Sequence, residues 1–337
     1  SDWIFCGKER MFFLFASSLL VHGSLLELID TVNSWPNGTW TAGTPYISSD
    51  HATSLCGTYL KDDPRYVSDD LPIYKIAQDD VAGTVPDSLD LRDVYPECSV
   101  IKTIRDQSAC GSCWAFSSVE SFEDRRCIAT GQDLEFSAFD VAVNSAVDVN
   151  GCKGGQPSLA LAWMAKSGVV TGGDYADNTT GKTCLPYPLP PCAHHTPATT
   201  YPECGAEYSF KRRVTTCSDH GYNRTYQNDK VKGSKAVRIA PRDTNSALSA
   251  LQTGTVSAGM TIYEDFLTYK SGVYKHVSGR QLGGHAVALI GYGSEGGTDY
   301  WLVKNSWNEL WGDGGTFKIA RGSNECDIEE YLAFIEI

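Results

Sequence analysis

The segment Gln107-Ser108-Ala109-Cys110-Gly111-Ser112-Cys113-Trp114-Ala115-Phe116 decides how the rest of the chain is read. It begins as a Gly-bearing loop and turns into an apolar stripe of Trp114, Ala115, Val119 and Phe122, whose spacing predicts a helix over residues 112–127. Cys113 stands at that junction. A thiol attacks as its thiolate, and both a helix N-terminus and a neighbouring imidazolium lower its pKa. The candidate imidazole is His285 in Gly283-Gly284-His285-Ala286-Val287, where glycines permit close approach. Asn305, in Lys304-Asn305-Ser306-Trp307, can accept from the other ring nitrogen and fix the tautomer. Gln107 can donate its amide, with the Cys113 N–H, to a tetrahedral oxyanion. Taken singly, a buried disulfide cysteine and a satisfied core histidine are the commoner fates of such residues. Together they supply nucleophile, base, orienting group and oxyanion donor.

Working outward, 337 residues accommodate a prosegment and a catalytic unit of two modest halves. The formal charge of −13, with no contiguous basic patch, excludes a nucleic-acid partner. Twelve cysteines, most of them between Cys98 and Cys217, indicate an oxidising compartment and disulfides. Zinc is the rival reading of such a chain, but after Cys110 and Cys113 no second C-x-x-C follows, so no metal site is expected.

Lys8, Glu9 and Arg10 precede the apolar run from Met11 to Val21, then Gly23 and Ser24. This pattern predicts a leader and signal peptide over residues 1–23, with Met11 as the start. Its apolar run is too short to span a bilayer, so no stable membrane insertion is expected. Sequons at Asn37, Asn178 and Asn223 fit a secretory route and glycosylation. Apolar residues Leu25, Leu26, Leu28, Ile29 and Val32 predict a helix in residues 24–35. The acidic, Pro-bearing stretch 62–80 reads as an extended linker. A boundary near residue 84 separates residues 24–84 from a region rich in Cys, Gly and Trp at 85–337. A second helix is expected at 159–166, closed by Gly168, and strands at 256–262, 286–292, 300–304 and 316–320. A helical half followed by a β half implies an α+β fold with a cleft between them.

The run Cys110-Gly111-Ser112-Cys113-Trp114 is the C-G-[SA]-C-[WY] signature, and on it the chain resembles the papain family of cysteine proteases. The stretches Glu27-Leu28-Ile29, Asn37-Gly38-Thr39-Trp40-Thr41-Ala42-Gly43 and Leu55-Cys56-Gly57-Thr58 are similar to a cathepsin B-type prosegment. Cys192-Ala193-His194-His195 through Cys204 resembles that type's occluding loop. The resemblance, covering residues 27–335, implies a papain-like two-domain fold: a helical left domain, a β-barrel-like right domain and the cleft between them. It implies an inactive precursor, freed by loss of residues up to about 84, needing no cofactor. Its partners would be peptide and protein substrates, its own prosegment as inhibitor, and cystatin-like inhibitors. The expected location is a lysosome or acidic vacuole, or outside the cell. Substrate would be held by Gly154, Gly155, Gly284, Trp307 and Tyr331, and a substrate's C-terminal carboxylate by His194 and His195. Imidazolium can bind a carboxylate and loses that charge as pH rises. The family pairing implies disulfides Cys98–Cys127, Cys110–Cys152, Cys184–Cys217 and Cys192–Cys204, with Cys113 and Cys326 left as thiols.

Three departures stand out. An Arg–Asp pair that pins the family's loop is absent, since Thr199-Thr200-Tyr201 and Leu310 occupy its positions, leaving His194 to pair with Asp106. Residues 137–150 carry none of the family's extra cysteines. The acid at the base of the second specificity pocket is replaced by Tyr331, which removes the partner for a guanidinium. A non-catalytic binding or matrix protein of the same fold, and a zinc-binding secreted module, are the alternatives from other classes.

Overall fold

A computed structural model describes residues 25–43, 52–53, 55–76, 85–145 and 151–337. The expected signal peptide and the boundary at residue 84 lie outside these residues. The expected helices form: residues 25–33, Cys113–Thr130 and Pro157–Ser167. The second begins at the Cys113 junction and ends where Gly131, at φ 71°, supplies the left-handed cap that a side chain would resist. It is not a one-faced helix. Fourteen of its eighteen residues are buried, including Glu120, Glu123 and Asp124, so it forms the core of the helical half rather than its surface.

Nine strands follow among the described residues: β1 Trp40–Ala42, β2 Leu89–Asp90, β3 Lys235–Arg238, β4 Val256–Tyr263, β5 Tyr269–Tyr274, β6 Gln281–Glu295, β7 Thr298–Lys304, β8 Thr316–Ala320 and β9 Tyr331–Glu336. Their order is β1-β5-β8-β7-β6-β4-β9-β3, with β2 pairing β6. Pairing is antiparallel except between β5 and β8. The expected barrel does not close. β1 is a three-residue edge contributed by the early segment, while β3, at the other edge, packs against the Pro157–Ser167 helix. Of the stretch read as a linker, residues 62–76 are described: the chain turns up to residue 65, then runs without helix and is seated on the protein. Ile73 bridges Arg238, and Tyr74 N–H donates to the Arg238 carbonyl at 2.8 Å.

Two features position the cleft. The β6–β7 hairpin, turning at Gly296 and Gly297, sets Ala288 opposite Lys304, which brings His285 and Asn305 into range of each other. Lys304 is fully buried and ties the sheet to the helix: Nζ donates to the Val100 carbonyl at 3.1 Å and meets Asp124 Oδ2 at 3.4 Å. A buried ammonium needs such partners, because desolvating it alone is prohibitive. Asn305, the next residue, is fixed by the same anchor.

Candidate active site

The loop before Cys113 is clamped by the Cys110–Cys152 disulfide and by Gln107 N–H donating to the Ser306 carbonyl at 3.0 Å. The other three disulfides are Cys98–Cys127, Cys184–Cys217 and Cys192–Cys204. Among the described residues the free thiols are Cys56, Cys113 and Cys326. Burial pushes Cys56 and Cys326 upward. Cys113 goes the other way: burial opposes ionisation, but the charge and hydrogen bonding of His285, with the Thr58 hydroxyl and the Ala286 N–H, hold the thiol below its ordinary value.

His285 is fully buried on β6, and its Nε2 lies 2.8 Å from Asn305 Oδ1. That same Oδ1 accepts from the Ser306 N–H at 2.8 Å, so it is the oxygen, and Nε2 must carry the proton. Nδ1 is left for the thiol side; it has no other hydrogen-bond partner of regular geometry. Gln107 Oε1 accepts from Ser306 Oγ at 2.8 Å, which turns its amide toward the cleft. There Nε2 donates to the Cys110 carbonyl at 2.9 Å and to the Leu55 carbonyl at 3.0 Å.

Leu55 belongs to the early segment, and that segment fills the cleft. Thr58 Oγ1 lies 3.3 Å from Cys113 Sγ, and Thr58 N–H donates to the Gly284 carbonyl at 3.0 Å. Gly155 N–H donates to Gly57 O at 2.9 Å, and Tyr59 N–H to Gly155 O at 3.0 Å. Glycine is required on the enzyme side: a Cβ at Gly154, whose φ is 107°, would lie 2.5 Å from Tyr59 Cε1, and one at Gly155 would strike Trp114. Farther out, Asn33 and Ala42 exchange two hydrogen bonds, and Trp40 packs on Tyr269 and Tyr274. The chain thus occupies its own groove.

The sequence description "Papain family cysteine protease" matches residues 85–335. This chain belongs to the papain family. It is 41% identical over 308 residues to a cathepsin B-like cysteine proteinase of Schistosoma japonicum, covering 90% of this chain and 88% of that one. It is also 41% identical over 269 residues to cathepsin B-like cysteine proteinase 4 of Caenorhabditis elegans, 79% of each. Among solved structures it is similar to proCathepsin B S9 from Trypanosoma congolense, at TM-score 0.76 and 29% identity over 92% of this chain and 98% of that one. A recombinant stem bromelain precursor shares the fold at TM-score 0.68 and 21% identity, over 99% of this chain and 94% of that one. The chain is therefore a cathepsin B-like cysteine peptidase precursor, with its prosegment in the cleft.

In this papain-family chain the loop 192–204 folds over Trp307. His194 is fully buried and its Nε2 meets Asp106 Oδ1 at 2.8 Å. Asp106 also accepts from the N–H groups of Ser108 and Cys192 and from Asn308 Nδ2. The rings of His194, His195 and His285 all contact Trp307, with centroids at 6.3, 4.7 and 4.8 Å. Cys192, His194 and Cys204 sit close enough to suggest a metal site, but the disulfide consumes both sulfurs. The expected loss of the second pin is real in sequence, yet Tyr201 Oη donates to Glu309 Oε1 at 3.0 Å across the same gap. Composition did not reveal this contact, because it pairs a phenol with an acid rather than two opposite charges.

The residues expected to form the second pocket hold a side chain of the early segment. Leu60 is buried against Gly259, Gly284 and Tyr331, where a Cβ at Gly284 would lie 2.8 Å from Leu60 Cγ. Tyr331 stacks edge-on to Tyr66, with centroids 6.2 Å apart, and burial raises its phenol's pKa, so it stays neutral.

Proposed function

We propose that the processed chain hydrolyses peptide bonds through an acyl-enzyme on Cys113, as an endopeptidase and as a carboxydipeptidase. The observation that carries this is the Cys113 thiol, among the described residues the one free thiol held below its ordinary value, set beside His285 that Asn305 orients. The thiolate Sγ forms a bond to the scissile carbonyl carbon, and the resulting oxyanion accepts from Gln107 Nε2 and the Cys113 N–H. His285 Nδ1–H gives its proton to the leaving amine, and the C–N bond breaks. Water then loses a proton to His285 and attacks the thioester, releasing the acid and restoring the thiol. Once the prosegment leaves, Gly155 and Gly284 offer their backbone groups to substrate instead of to Gly57, Thr58 and Tyr59.

The carboxydipeptidase activity rests on His194 and His195 at one end of the cleft, where imidazolium can meet a substrate's C-terminal carboxylate. Export through the secretory pathway to an acidic compartment, or beyond the cell, fits four disulfides. No described helix is long and apolar enough to cross a membrane. Of the three sequons, Asn37 and Asn223 are exposed. Asn178 Nδ2 donates to the Tyr175 and Tyr187 carbonyls at 2.8 and 3.0 Å, so a glycan there would forfeit one bond. We assign the glycans to Asn37 and Asn223. The test is hydrolysis by processed protein of a capped peptide and of the same peptide with a free C-terminus. Cys113→Ala must abolish both; retained cleavage in that variant refutes the mechanism.

A further inference from the structure

The prosegment leads outward from the thiol, and the residue after Leu60 meets an acid. Lys61 Nζ lies 2.5 Å from Glu330 Oε1 and 5.6 Å from the Tyr331 ring centroid. The Lys61 N–H donates to Tyr331 Oη at 3.0 Å. With the prosegment seated, the Glu330 side chain is 18% exposed, against 53% for Lys61. Its second oxygen faces Arg242 Nε at the longer distance of 3.5 Å, on a side chain 68% exposed. Loss of the prosegment therefore removes the nearer of two cations. It leaves the Glu330 carboxylate on a wall that Arg238, Tyr331 and Leu332 share, while the prosegment residues between Thr58 and Asp69 that also line this cavity of about 230 Å³ depart with Lys61. A carboxylate that has lost its nearer cation and keeps only the longer contact to exposed Arg242 attracts a replacement cation on the same wall.

We infer that Glu330 is a specificity-determining residue of the processed enzyme, binding a lysine or arginine side chain three residues to the N-terminal side of the scissile bond. The inference rests on the peptidase reading above and refines it. The position follows from the order of contacts outward from the thiol. Thr58 touches Cys113 Sγ, Leu60 fills the second pocket, and Lys61, one residue farther, reaches Glu330. The chain turns here, Asp63 N–H donating to the Leu60 carbonyl at 2.8 Å, so that Leu60 meets Gly259 and Gly284 while Lys61 meets Glu330. The residue filling the pocket and the residue meeting Glu330 are therefore different residues, and chain polarity does not alter that. The wall that Leu60 touches, built by Gly259, Gly284 and Tyr331, holds no carboxylate. The acid lost from the pocket base is thus displaced by one residue in sequence, and the basic preference by one residue in the substrate.

The test uses fluorescein-labelled peptides X-Leu-Gly-Ala, with X as Lys or Gln, binding to processed Cys113→Ala protein. It adds kcat/KM on X-Leu-Gly-aminocoumarin amides with the unmutated site. Lys should be favoured about two- to fivefold, the range for a partly exposed ion pair, and the preference should shrink at high salt. Glu330→Gln should bring the ratio to one, and Arg242→Gln, which removes the competing cation, should enlarge it. Equal binding of the two peptides, or a Lys preference that survives Glu330→Gln, overturns the inference. So does a basic preference confined to the Leu position. Discrimination in binding without any hydrolysis would support Glu330 while sinking the peptidase reading. Hydrolysis without discrimination would sink Glu330 alone.

Discussion

The brake on this peptidase should be released by a single methyl group at Gly57. A Cβ built there lies 1.7 Å from the Gly111 carbonyl oxygen and 2.3 Å from its carbon. Neither side can yield cheaply. Gly111 belongs to the loop clamped by Cys110–Cys152, and Gly57 is flanked by the bonds from Gly155 and to Gly284. Overpacking of this kind costs about 1–3 kcal/mol. At 1.4 kcal/mol per tenfold, the Gly57→Ala precursor should therefore open about 5- to 150-fold more often. The assay is the rate at which a small alkylating reagent modifies Cys113 in the full-length precursor at neutral pH. Gly43→Ala is the control, because its Cβ would meet only the flexible Lys270 side chain, at 3.4 Å, and its rate should stay within about twofold of the parent. Equal rates for Gly57→Ala and the parent would mean that the prosegment does not seat on the Gly111 loop, and the occluded groove described above would be wrong.

Three further outcomes are expected. Because Leu60 fills the second pocket and Tyr331 offers no carboxylate, substrates with Leu or Phe there should show higher kcat/KM than those with Arg; an Arg preference would mean that Glu330 reaches inside. Tyr201→Phe removes the contact that takes the place of the missing pin, a hydrogen bond worth about 0.5–1.5 kcal/mol, and should raise the ratio of endopeptidase to carboxydipeptidase rates by about two- to twelvefold; an unchanged ratio would show that Tyr201 does not hold the loop. Burial pushes Glu120 up to about 8, so the folded protein holds a proton there that the unfolded chain has already lost. Stability from this group is complete below about pH 4.5 and lost as pH rises toward 8, by at most about 1.4 kcal/mol per unit. Glu120→Gln should flatten the fall in Tm over that window, and an identical profile would remove Glu120 as the cause.

The parts legible in the sequence are those set by local chemistry. The loop-to-helix junction at Cys113 follows from Gly111 and the apolar stripe behind it. His285 and Asn305 are twenty residues apart on one hairpin, so their meeting needs only a turn at Gly296 and Gly297. The burial of Glu120, Glu123 and Asp124 was not legible, since acids along a helix normally mark its solvent face. Here Lys304 and Arg105 arrive from distant segments to offset them. Tyr201–Glu309 and Lys61–Glu330 join residues 108 and 269 positions apart, and no periodicity reports such pairs. The sheet's failure to close likewise depends on what covers its edges, β1 with its three residues and β3 beneath a helix, rather than on strand patterning.

The central claim is that Cys113 attacks and that His285, held by Asn305, makes it able to. Intact-mass and peptide mapping of processed protein after treatment with an epoxysuccinyl peptide tests this most directly. One adduct per chain is expected, located on Cys113, formed far more slowly in the unprocessed precursor and greatly slowed in His285→Ala. Modification of Cys326 instead, or of Cys113 at the same rate with and without His285, would contradict the account.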